Sequence, residues 1–84
     1  MKPSFPISPV QEQVLRFFRR HDHAVESIRS IAGWLGLEGK VVEQAVKGLV
    51  DLKWLSAHEV GSATAYSLPS DRQVLADIEE FLTA

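Results

Sequence analysis

At 84 residues, 45% apolar and 24% charged, the chain fits one domain around one core; a disordered chain and a division into two cores are both excluded. The absence of cysteine rules out a disulfide framework and a thiolate metal site and suits the cytoplasm, while no apolar run reaches signal-peptide or membrane-span length. The net charge of −2 is unevenly spread: residues 1–53 hold eight Lys/Arg against six Asp/Glu, and residues 54–84 one Arg against five acids. A mildly basic face toward a polyanion and an acidic one toward solvent or a partner fit this division.

Residues 1–7 read as an extended lead-in, because Pro3 and Pro6 remove backbone donors and disfavour helix before them. A first helix is predicted over about 9–21. Ser8 supplies a cap, Pro9 suits the first helical position, and Gln11 completes a capping box. Val10, Val14, Leu15, Phe17 and Phe18 recur at helical spacing, leaving Glu12, Arg16, Arg19 and Arg20 on the wet side. Ser27 is the expected cap of a second helix, about 27–36, with Ile28, Ile31, Ala32 and Leu35 on one face and Gly36 as its stop. A third helix, about 39–52, carries Val42, Ala45, Val46 and Leu49 inward. Residues 54–68 hold two short strand-like runs around Gly61 and Ser62, which read as a β-hairpin. After Pro69, Ser70 and Gln73 repeat the capping-box spacing before a fourth helix, about 70–83, with Val74, Leu75, Ile78, Phe81 and Leu82. The expected class is mainly α with one small hairpin.

Two helices joined by a short glycine-bearing turn make a helix-turn-helix. In IAGWLGLEGKVVEQAVKGLVDLKWL, residues 31–55, the positions Ala32, Leu35, Gly36 and Leu37 resemble the A-x-x-L-G-L approach to the turn in the winged helix-turn-helix superfamily. Val42, Val46 and Leu49 match its V-x-x-x-(L/V)-x-x-L recognition helix, and Trp54 and Leu55 stand where its wing begins. The resemblance spans residues 9–68, and the size is similar to small regulators of the ArsR, MarR and PadR kind. It implies a recognition helix in the major groove of double-stranded DNA and a wing on the adjacent backbone. On the matching positions, Lys40 and Lys47 are expected to meet phosphates or guanine edges, Gln44 to read adenine, and Val41 to share the same face. Arg29 and Ser30 on the second helix are expected to meet the backbone. Four features depart from the pattern. Glu38 replaces a capping Ser or Thr, Glu43 puts negative charge on the groove face, the wing tip at Gly61–Thr64 has no cation, and Lys53 replaces a glycine.

No nucleophile elbow, phosphate loop or zinc-protease motif is present, so neither catalysis nor a cofactor is expected. His21, His23 and Glu26 lack the paired ligands of a metal site. Glu43–Lys47 and Lys47–Asp51 have the spacing of helix ion pairs, so the third-helix lysines also fit a solvated face. Trp34 and Trp54 are expected in core or edge packing. One recognition helix covers few base pairs, and the chain ends two residues past Leu82. A homodimer through Val74, Ile78, Phe81 and Leu82 is therefore expected. The expected function is a DNA-binding module of transcription regulation; the alternative is a winged-helix protein-interaction module within a larger assembly.

Overall fold

The computed structural model describes residues 7–83; apart from Ile7, the expected extended lead-in lies outside the described residues. The elements follow the order α1 (Pro9–Arg20), α2 (Ile28–Leu35), α3 (Gly39–Asp51), β1 (Ser56–Val60), β2 (Ala63–Ser67) and α4 (Arg72–Thr83). The start of α1 is built as its sequence dictates. Ser8 Oγ accepts from the Gln11 N–H at 3.2 Å, and Gln11 Oε1 accepts from the Ser8 N–H at 2.8 Å. The same Gln11 amide donates from Nε2 to the carbonyl of Ala45 on α3 at 3.3 Å, so one side chain both caps α1 and ties it to α3. This approach relies on Gly48, where a Cβ would stand 2.5 Å from Gln11 Nε2.

Val14, Leu15, Phe18, Ile31, Val42, Val46 and Leu49 form the fully buried centre, with α3 packed on α1 and α2, and α4 on α1. Arg16 also ties α1 to α4 through a 3.3 Å bond to the Leu82 carbonyl. Among the described residues no buried side-chain polar atom lacks a partner, as a core this small requires.

Two helices end in the same way. Gly36 closes α2 at φ 66°, and the Leu37 N–H reaches the Ala32 carbonyl at 3.0 Å. After α3, Lys53 takes φ 65° while its N–H bonds to the Val50 carbonyl and the Trp54 N–H to the Leu49 carbonyl, both at 2.9 Å. This is a Schellman ending, in which a left-handed residue lets the last carbonyls find donors. Trp54 and Leu49 are both buried, and their packing holds a lysine in a conformation that glycine would adopt without strain.

Strands β1 and β2 pair antiparallel with Val60 opposite Ala63, leaving a two-residue loop. Gly61 has φ 64° and Ser62 is not among the positive-φ residues, which makes a type II′ turn. Glu26 and Tyr66 exchange backbone bonds at 2.9 and 2.8 Å, adding the connection between α1 and α2 to the hairpin as a third, single-bridge strand.

The structure corrects two details of the sequence reading. The fourth helix is not capped by Ser70 but by Asp71, whose Oδ1 accepts from the N–H groups of Gln73 at 2.8 Å and Val74 at 3.2 Å. An aspartate one residue later does the same work and adds charge complementarity to the helix dipole. Trp54 is buried as expected, but Trp34 is 67% exposed, its ring tilted by 40° to those of Phe17 and His21 at centroid distances of 6.1 and 5.9 Å. The core face of α2 is already filled by Ile31 and Ala32, and Trp34 lies off that face.

Candidate nucleic-acid interface

Helix α3 buries Val42, Ala45, Val46 and Leu49, and at 3.6 residues per turn this places Lys40, Gln44 and Lys47 together on the opposite side. All three are exposed. Val41, 41% exposed, lies at the margin of that side facing the start of α1. Together with Ser8, Val10, Gln11, Gln44 and Ala45 it lines a shallow depression of about 270 Å³. Lys47 Nζ lies 3.8 Å from Glu43 Oε1; no matching Lys47–Asp51 pair occurs among the described residues. Glu38, at the start of α3, makes no side-chain capping bond, so the first N–H groups of this helix are left to solvent or a ligand.

On α2, Arg29 is exposed in the first turn. Ser30 is half-buried, and its N–H and hydroxyl are both engaged by the capping hydroxyl of Ser27, at 3.2 and 3.3 Å. These two neighbours therefore differ: Arg29 is exposed and has no ion pair within 4 Å among the described residues, whereas Ser30 is held by its own helix cap. At the hairpin, His58 Nε2 and Ser67 Oγ approach to 2.7 Å across the strands, and the tip from Gly61 to Thr64 is exposed and without a cation.

Two of the three arginines on the wet side of α1 are ion-paired in place. Arg16 pairs with Glu12 at 3.0 Å and Arg19 with Glu79 at 2.6 Å, both on the surface. The expected dimer stripe is split between core and surface. Ile78 and Leu82 are 4% and 5% exposed inside the monomer, where they pack with α1, while Val74 and Phe81 are half-buried and Phe81 meets Trp54 edge-on at 5.9 Å. Among the described residues no three His, Asp or Glu side chains gather as metal ligands, and no helix is long and apolar enough to cross a membrane.

No protein-family model and no curated protein matches the sequence. Solved structures do match the fold. A variant of ZitR from Lactococcus lactis is 15% identical with a TM-score of 0.73, covering 99% of this chain and 56% of its own. A variant of MepR from S. aureus, bound to an oligodeoxyribonucleotide, is 18% identical with a TM-score of 0.76 over 92% of this chain and 56% of the other. The adhesin competence repressor AdcR from Streptococcus pyogenes is 16% identical with a TM-score of 0.68, over 90% and 57%. These are winged-helix regulators. The chain has the winged helix-turn-helix fold. It spans a little over half the length of the structures it matches. Helix α3 stands in the recognition-helix position of that fold, α2 before it, and the β1–β2 hairpin is the wing. Gln11 and Glu26 position these elements and escaped the sequence reading as site-building residues. Of these two, Gln11 carried a local signal, its capping-box spacing, but nothing local connects it to Ala45.

Proposed function

We propose that the chain is a DNA-binding winged-helix module of transcription regulation, working in the cytoplasm with α3 in the major groove. The observation that carries this reading is the exposed row Lys40, Gln44 and Lys47 on the helix in the recognition position, together with exposed Arg29 on α2. Side chains in that row have the donors and acceptors to meet base edges, and Arg29 with Lys40 supplies backbone charge. The MepR variant bound to an oligodeoxyribonucleotide lends support at the level of fold. In the proposed homodimer, Val74 and Phe81 form the contact, since Ile78 and Leu82 already serve the monomer core.

The test is duplex affinity as a function of salt. Two or three neutralised phosphates give a log–log slope of about −2 to −3. Lys40→Glu and Lys47→Glu each weaken binding, and Lys40→Glu also flattens the slope; unchanged affinity in both variants would remove α3 from the interface. A second reading, a protein-interaction module, draws on the wing tip without a cation and the acids Glu38 and Glu43 on α3. It predicts no saturable duplex binding even at low salt.

A further inference from the structure

Glu43 is the recognition-helix residue that phosphate attraction leaves unexplained, because a carboxylate there repels the DNA backbone. Its position relative to Lys47 suggests a different use. Glu43 Oε1 and Lys47 Nζ are 3.8 Å apart on successive turns, with side chains 52% and 68% exposed, so both reach outward from the helix together. A carboxylate only accepts hydrogen bonds and an ammonium only donates them. The pair therefore offers an acceptor immediately beside a donor, at a spacing comparable to the groups on one base-pair edge.

The major-groove edge of a C·G pair is the complement of that arrangement. Cytosine N4 is a donor on one side, and guanine O6 and N7 are two adjoining acceptors on the other. An A·T edge fits less well: its amino group lies between two acceptors, so a carboxylate aimed at it also faces adenine N7 or thymine O4. We propose that Glu43 and Lys47 act as one unit reading a single C·G base pair, Glu43 accepting from cytosine N4 and Lys47 donating to guanine O6 and N7. This rests on the DNA-binding reading above. The charge-balanced pair adds nothing to non-specific attraction, and Glu43 lowers it, so the unit exchanges general affinity for discrimination. Lys40 and Arg29, which have no ion pair within 4 Å among the described residues, remain for the phosphates.

The experiment uses the full chain and duplexes selected from a random library, followed by titration of the enriched site with each of the four base pairs substituted at every position. Expected is one position at which C·G binds about tenfold better than the alternatives. Glu43→Gln abolishes or shifts that single preference, leaves the others, and strengthens binding to unrelated duplex. Glu43 is exposed, so the variant retains the fold, which a matching thermal melt verifies. If Glu43→Gln leaves the preference at every position unchanged, the pair is a helix ion pair only, and the inference falls while DNA binding stands. If no duplex is enriched by the unmodified chain, the DNA-binding reading falls, and the inference with it.

Discussion

Replacing Lys53 by glycine stabilises the domain. Lys53 closes α3 at φ 65°, in the same motif and nearly the same conformation that Gly36 adopts at φ 66° after α2. For a residue with a Cβ the left-handed region costs about 1–2 kcal/mol, because Cβ crowds the following carbonyl. Glycine removes that cost but gives the unfolded chain more freedom, an opposing effect of about 0.4–1 kcal/mol. The lysine side chain is exposed and has no ion pair within 4 Å among the described residues, so little else is lost. The difference of the two ranges centres on a net gain of about 0.8 kcal/mol, which in a domain of this size raises Tm by about 3–6 °C. Gly36→Ala has the opposite sign, since nothing crowds its Cβ within 4 Å and only the backbone conformation opposes it. Thermal unfolding followed by circular dichroism reads both variants. A fall in Tm for Lys53→Gly, or no change in either variant, would show that the helix endings are not held in left-handed conformations.

Three further outcomes follow from individual contacts. Asp71→Ala costs about 1 kcal/mol of stability by freeing two helix N–H groups, whereas Ser70→Ala costs less than about 0.5 kcal/mol; equal losses in chemical denaturation would contradict the assignment of the cap. Arg19→Ala changes stability by less than about 1 kcal/mol, because its short bond to Glu79 lies on the surface, and a larger loss would mean that the pair fixes α4 on α1. Sedimentation shows a concentration-dependent dimer that Phe81→Asp converts to monomer with a lowered Tm, since Phe81 also packs on Trp54. A monomer across micromolar concentrations would rule out the proposed dimer whatever the variant does.

The parts of the fold governed by neighbouring residues were legible in the sequence. Ser8, Pro9 and Gln11 dictate where α1 begins, Ser27 and Gly36 bracket α2, and Gly61 followed by Ser62 turns the hairpin, each through chemistry acting over three or four residues. What escaped depends on contacts made at a distance. The Glu26–Tyr66 bridge and the Gln11–Ala45 bond join segments whose partners no local pattern specifies. Lys53 could be recognised as standing in a glycine's place, but its left-handed conformation is set by the joint burial of Leu49 and Trp54. Ser70 and Asp71 are both good caps, and only the register of α4 on the core decides between them. Helical spacing grouped Ile78 and Leu82 with Val74 and Phe81 in one stripe, yet packing on α1 takes the first two and leaves the others partly open. At the candidate interface the sequence identified exposed residues correctly: Lys40, Gln44 and Lys47 share one side of α3. The cap that restrains Ser30 and the pairing of Lys47 with Glu43 rather than Asp51 required the structure.

The most direct test of DNA binding through α3 is to follow backbone amide chemical shifts while titrating the protein with an enriched duplex at low salt. The account predicts the largest changes at Arg29, Lys40, Val41, Gln44 and Lys47, with α4 and the outer side of α1 little affected. Changes confined to α1 and α4, or none at any duplex concentration, would contradict it.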